Sequence, residues 1–202
     1  MAIVGALFAA GKAQAQVSVN IGYAPETFKT TTSVTTTTEN YQGFFIGATY
    51  NIGIVNNLGV AVGPQLRFNT RSESLGPSAK ATSNQFLLDI PVLINYRFDL
   101  NRDFSITPFV GPMLSYALSG NTKTTISSTI TKVNWYGDNS ILDLNRFNLY
   151  AALGVSFAYD NFKLFGGYRF GLLDLYKGDY HILQGDSTLK TNGMFVGVGF
   201  VF

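Results

Sequence analysis

Charge is scarce in this chain and cysteine is missing: Asp, Glu, Lys and Arg make up 13% of its 202 residues, with no Cys among them. Soluble domains carry roughly 25% charged residues, so a protein of this size with an ordinary water-facing surface is disfavoured. The lack of cysteine suits an exported chain that needs no disulfide. Long apolar runs are also missing. Beyond the first residues nothing approaches the ~18 consecutive apolar residues of a transmembrane helix, and the abundance of Gly, Thr, Asn and β-branched residues argues against long helices generally. The net charge of +2, with no basic run interleaved with aromatics, excludes a nucleic-acid partner. One histidine is present, His181. It lies near Asp179, Asp186 and Ser187 in a connecting segment, with no GxSxG and no metal-spaced His pair, so the sequence carries no catalytic constellation, no metal site and no cofactor site.

What is present is aromatic and small: Phe, Trp and Tyr reach 14%, and there are 21 glycines. A chain that enters lipid without helices satisfies its backbone only by closing a β-barrel. The last ten residues, Gly193-Met194-Phe195-Val196-Gly197-Val198-Gly199-Phe200-Val201-Phe202, read as such a strand. Met194, Val196, Val198, Phe200 and Phe202 share one face, and Gly197 and Gly199 the other. An apolar face meets lipid while a small-residue face meets a crowded interior. A closing strand with a terminal Phe resembles the ending of bacterial outer-membrane barrels.

At the other end, Ala2 to Gly11 is an apolar stretch of signal-peptide length, and Ala13-Gln14-Ala15 forms a small-x-small cleavage pattern before Gln16. Residues 1–15 are therefore read as a signal peptide and 16–202 as the barrel domain. No Lys or Arg precedes the apolar stretch, so a start truncated before the basic region is expected.

Period-two patterning places eight strands at about 17–30, 41–54, 58–71, 85–98, 104–118, 146–159, 162–175 and 189–202. The fourth is the clearest. Phe86, Leu88, Ile90, Val92, Ile94, Tyr96 and Phe98 occupy one face, and Leu87, Asp89, Pro91, Leu93, Asn95 and Arg97 the other. Short connections at Val55-Asn56-Asn57, Asp99 to Arg102 and Asp160-Asn161 carry turn-forming residues. They alternate with longer ones near 31–40, 72–84, 119–145 and 176–188. This rhythm predicts an all-β, eight-stranded antiparallel up-and-down transmembrane barrel with short periplasmic turns, longer extracellular loops and both termini in the periplasm. Threonine runs in the long connections favour strand, so these hairpins are expected to project beyond the membrane.

Several short motifs point the same way. Gly63-Pro64-Gln65-Leu66-Arg67-Phe68 echoes Gly111-Pro112-Met113-Leu114-Ser115-Tyr116, and Ile90-Pro91-Val92-Leu93-Ile94-Asn95-Tyr96-Arg97-Phe98 and Gly167-Tyr168-Arg169-Phe170-Gly171-Leu172 accompany them. Together they resemble the small outer-membrane barrel family of Bacteroidetes often termed PorT-like. The resemblance spans nearly all of the mature chain. It implies the family's fold and, through some relatives, assistance to protein secretion; it brings no catalytic motif. Asp186-Ser187-Thr188 also resembles the short O-glycosylation acceptor pattern of that group.

Prolines remove ladder hydrogen bonds, so Pro64, Pro91, Pro108 and Pro112 predict bulges or bends. Inward positions on this register include Arg67, Asp89, Asn95, Arg97, Lys163 and Arg169, a polar network in the lumen. A buried charge needs a partner, so Asp89 is expected to bond Arg97, Arg67 or Arg169. Phe45, Leu87, Phe109, Met113, Phe165 and Phe195 fill the rest. Eight strands leave an interior just wide enough for side chains. Tyr41, Tyr96, Tyr116, Tyr159 and Tyr168 are expected at the membrane interfaces. Trp135 and Tyr136, in the third long loop, either contact a partner or cap the barrel mouth.

The resulting picture is a non-enzymatic, monomeric outer-membrane barrel surrounded by lipid. It has a structural or surface-recognition role, with an extracellular or secretion-machinery protein as partner. A narrow pore for small solutes and a soluble lipocalin-like carrier are the alternatives.

Overall fold

Alternation of large apolar and small or polar residues is realised as strand throughout the computed structural model, which describes residues 16–137, 144–176 and 187–202. The twelve strand segments are β1 (Gln16–Tyr23), β2 (Glu26–Thr31), β3 (Thr36–Val55), β4 (Leu58–Val62), β5 (Gln65–Gly76), β6 (Ala79–Tyr96), β7 (Phe98–Asp99), β8 (Phe104–Ile126), β9 (Thr129–Asn134), β10 (Phe147–Tyr159), β11 (Phe162–Gly171) and β12 (Thr188–Val201). Every pairing is antiparallel. The short segments join end to end, β1 with β2, β4 with β5 and β6 with β7, so that eight staves cross the membrane. The ring runs β1, β3, β4/β5, β6, β8, β10, β11, β12 and closes where β12 pairs with β1, from Ser18↔Val201 to Tyr23↔Val196.

The outward faces are apolar without interruption. Ile21, Phe44, Ile46, Leu66, Ile94, Val110, Leu153, Leu164, Met194 and Val198 are all exposed, and no outward position between the two aromatic bands carries a charge. One band links Tyr23, Phe44, Phe68 and Phe86 across four staves, with ring centroids 5.5 Å apart for Tyr23–Phe44 and 5.0 Å for Phe68–Phe86. The other joins Tyr96 to Phe98 at 4.8 Å and Phe162 to Phe200 at 5.4 Å beside the short turns. Aromatic rings at both interfaces anchor a barrel at a fixed depth. An outward apolar girdle on every stave overturns the lipocalin-like carrier, which needs the opposite sidedness. Tyr41 is also corrected. It points inward and is buried, because its parity places it with Gly43 and Phe45 rather than with Phe44.

Two of the short turns are set by residues that tolerate a left-handed backbone: Asn56 has φ 49° and Asp160 φ 51°. Where they are described, the first three long connections are largely continued ladder, and most of the fourth, near 176–188, lies outside the described residues. Ser72↔Thr82, Thr31↔Thr36 and Thr122↔Val133 all pair. Threonine's strand preference thus carries β5, β6, β8 and β9 beyond the membrane as a four-stranded extension. The seventh stave ends at Gly171 rather than near 175, since the chain turns inward there to bury Leu175.

The prolines fall where the ladder is interrupted or edged. Pro64 separates β4 from β5. The β6–β8 ladder skips from Pro91↔Met113 to Ile94↔Val110, beside Pro112. Pro108 lies likewise in the gap between Asn95↔Phe109 and Phe98↔Ile106, while on its other edge both it and Pro112 keep regular register with β10. The true register shifts lie elsewhere, at Gly53/Val55, Ser74/Gly76 and Phe86/Leu87.

Inside, Phe45, Phe109, Phe165 and Phe195 form a layer made possible by glycines on the facing staves. A Cβ on Gly154 would lie 2.3 Å from the Gly166 carbonyl oxygen and 2.5 Å from Cζ of Phe109; one on Gly197 would lie 2.7 Å from Cζ of Phe165. Gly154→Ala is therefore expected to lower stability in lipid vesicles by about 1–3 kcal/mol through overpacking. Gly53→Ala, whose Cβ meets nothing within 4 Å, should stay within about 0.5 kcal/mol of the parent. Urea midpoints of the heat-modifiable gel band read both; equal shifts would contradict the layered packing.

Candidate functional site

The polar residues of the lumen gather into one level, built by inward positions on six staves. Arg67, on β5, is fully buried and forms the hub. Its Nε donates to Asp89 Oδ2 at 2.7 Å and its Nη2 to Asp89 Oδ1 at 3.2 Å, while Nη1 donates to Glu26 Oε2. Asp89, on β6, also accepts from the Ser115 hydroxyl at 2.5 Å. Glu26, on β2, accepts from Tyr150 on β10 at 2.5 Å and from Asn69 Nδ2 at 2.5 Å. Arg169, on β11, donates to the Ala24 carbonyl at 3.1 Å and stacks over Tyr150 at 5.7 Å. Two cations and two carboxylates thus share a buried interior where an unpaired charge is expensive.

The register brings Arg67 and Asp89 together. Asn95 lies closer to the periplasm and donates to Asn51 Oδ1 at 2.9 Å. Lys163 donates to Ser18 Oγ at 2.8 Å and sits 5.3 Å from the Phe165 ring. Arg97 lies outside the network, which corrects its placement there. Past the end of β6, its side chain is 44% exposed at the rim and pairs with Asp99 at 2.6 Å. Glu26 is the residue the sequence reading passed over. Its signal was present, since it shares the even-numbered parity of Asn20 and Gly22, so an acid there had to face inward.

Above this level the extracellular mouth is shut by rings. Trp135 and Tyr136 are 4% and 8% exposed, so they form no open contact surface. Trp135 packs edge-on to Tyr41 at 6.1 Å and to Phe28 at 6.4 Å, and its Nε1 donates to Thr122 at 2.9 Å. Leu144, Leu175 and Leu189 complete the plug. Tyr136 accepts from Gln85 Nε2 at 2.6 Å; burial pushes its phenol up to about 12, so it stays protonated at neutral pH. The plug forms because the chain after β9 folds back over the lumen, where an apolar pair finds the partners that water denies it.

Over the plug lies an outer vestibule of about 360 Å³, walled by Glu39, Arg71, Glu73, Tyr41 and Trp135. Below the ion level a second cavity of about 160 Å³ runs from Arg67 and Arg169 of that level to Ser18 and Lys163 near the periplasmic ends of the staves. His181, Asp179 and Asp186 lie outside the described residues. Ser187 is buried at 1% exposure, which shields its hydroxyl from a modifying enzyme in the folded barrel. Among the described residues no group of three His, Cys, Asp or Glu side chains is placed to hold a metal.

The family model of the outer membrane protein beta-barrel domain matches residues 12–177. The chain belongs to that family. It is an outer-membrane protein, and no curated protein sequence matches it beyond this. Among solved structures, Ail, the attachment invasion locus protein of Yersinia pestis, is 16% identical with a TM-score of 0.51, over 93% of this chain and 98% of that one. Ail in complex with the heparin analogue sucrose octasulfate matches with the same identity and TM-score, over 93% and 99%. Neisserial surface protein A is 16% identical with a TM-score of 0.48, over 90% and 96%. At such identities the likeness to Ail establishes the barrel fold alone, and fold does not assign function.

Two substitutions test the ion level. Arg67→Met leaves Glu26 and Asp89 buried without their cation and is expected to cost about 3–5 kcal/mol. Arg97→Gln, which breaks an exposed pair, should cost less than about 1 kcal/mol. Denaturant midpoints in vesicles decide, and comparable losses would mean that the buried pairs carry no special weight.

Proposed function

We propose that this barrel is a non-enzymatic surface protein that acts through its extracellular face, without conducting solutes. The observation that carries the reading is the closed lumen. Between the vestibule and the lower cavity stand the aromatic plug and the level of Arg67, Asp89 and Glu26, and an eight-stranded ring has no width to spare around them. The chain nevertheless builds a four-stranded extension above the membrane. Its wall beside the vestibule mixes rings with Glu39, Arg71 and Glu73, a combination suited to recognising polar partners. Ail, whose fold this chain shares, carries attachment in its name and has been captured with a heparin analogue.

In the same reading residues 1–15 direct export, the barrel sits in lipid as a monomer, and its partner is an extracellular protein or glycan. The PorT-like motifs around Pro64, Pro91 and Pro112 support a variant in which the partner belongs to a secretion machine. A narrow pore is disfavoured by the double closure of the lumen.

Planar-bilayer recordings of the purified barrel are expected to show no single-channel steps; regular steps would replace this reading with the pore. Replacing residues 122–133 by a two-residue turn should preserve the heat-dependent gel shift while abolishing adhesion of expressing cells to immobilised sulfated glycans or matrix protein. Unchanged adhesion of the shortened variant, or no adhesion by the parent, would refute recognition through the extension.

A further inference from the structure

We infer that the lower cavity is a periplasm-facing binding site for a small organic monocarboxylate with an apolar body. Three independent features of the lumen lead there.

The first is charge. Glu26 and Asp89 are balanced by Arg67 and Arg169, all four buried. Lys163 adds a further positive charge to the cavity wall, and among the described residues no Asp or Glu lines that cavity. Among the described residues its ammonium donates to the neutral Ser18 hydroxyl, 2.8 Å away, and to no carboxylate. Arg97 stands at the rim but is already paired with Asp99. Among the described residues Lys163 is thus a partly buried cation of the cavity wall without a carboxylate beside it, and a single anionic group in the cavity pairs with it.

The second feature is the wall opposite that charge. Phe45, Phe109 and Phe165 line the same cavity, and the Lys163 ammonium already lies over the Phe165 ring at 5.3 Å. A hydrated inorganic anion gains nothing from such a wall, whereas an aromatic or aliphatic body does. The third is size. The cavity measures about 160 Å³, close to the ~150 Å³ cavity that accepts benzene in another protein. At its inner end Arg169 contributes a buried Nε–H that has no acceptor among the described residues.

The plug closes the other end, so the ligand enters and leaves on the periplasmic side. This inference does not rest on the extracellular recognition proposed above, and the two fail separately, since one test reads the 122–133 hairpin and the other reads Lys163.

The test uses the full barrel in detergent micelles or nanodiscs, with 4-fluorobenzoate as the probe and its fluorine resonance as the readout. Saturable line broadening is expected, reversed by benzoate but not by neutral, isosteric benzamide. Lys163→Met should weaken binding at least tenfold and Lys163→Arg should retain it, with the heat-dependent gel shift confirming that each variant folds; Lys163→Gln substitutes if the Met variant does not. No saturable binding at millimolar probe would overturn the site. So would displacement by benzamide equal to that by benzoate, or undiminished binding by the folded, uncharged Lys163 variant.

Discussion

Closure of the ring is the constraint from which the rest follows. The hydrocarbon core offers no water to an unpaired N–H or C=O, so a strand entering it must be paired on both edges. The last strand therefore has to meet the first, and it does so over Ser18↔Val201 to Tyr23↔Val196. Once eight staves are joined, the circumference is set, and with it the width of the interior. The sequence then has to fill a space of given diameter with side chains from alternate positions, and it has no freedom to do this with large residues everywhere.

The glycines record that restriction. Phe109, Phe165 and Phe195 each occupy volume that a facing Cβ on Gly154, Gly197 or Gly167 would otherwise claim. The alternation of large and small in the final strand is thus a property of two surfaces at once, lipid outside and phenylalanine rings inside. The ion level obeys a related rule. Replacing a buried ion pair with apolar groups is often neutral or stabilising, so Arg67 is weak grounds for claiming extra stability. What it does accomplish is positional. Through Glu26, Asp89, Ser115 and Tyr150 it ties strands that are far apart in sequence, with Tyr150 and Glu26 separated by 124 residues.

Sidedness was legible in the sequence because lipid imposes it on every outward position, and no local contact overrides that pressure. Phe86 to Phe98 could be sorted face by face for this reason. Partnership was harder to read. Asp89 had three candidate cations of suitable parity, and which one came within reach depended on the β5–β6 register that sets Gln65 opposite Asp89, two residues from Arg67. Arg97 shared the parity but lay past the end of the β6 ladder, where alternation no longer dictates direction. Trp135 and Tyr136 were recognisable as unusual, yet their burial depends on how a connection folds back over the mouth, and neither periodicity nor composition encodes that path. The first three long loops continue as ladder over their described residues because threonine's strand preference persists after the lipid ends.

Membership in an outer-membrane barrel family settles the middle of this molecule more firmly than its ends. Between the aromatic bands the outward face has to be apolar and the inward face has to fill a narrow tube, so those positions answer to the bilayer and to packing. The freedom left to the sequence lies at the two mouths. At one it has placed threonine-rich hairpins and an aromatic lid; at the other, a cavity whose wall has a lysine without a carboxylate partner among the described residues. Neither is required to span a membrane. Lys163 in particular lies on the inner face at the start of β11, where a neutral residue would satisfy the ring equally well, so its charge calls for a cause in what enters the cavity rather than in what surrounds the barrel.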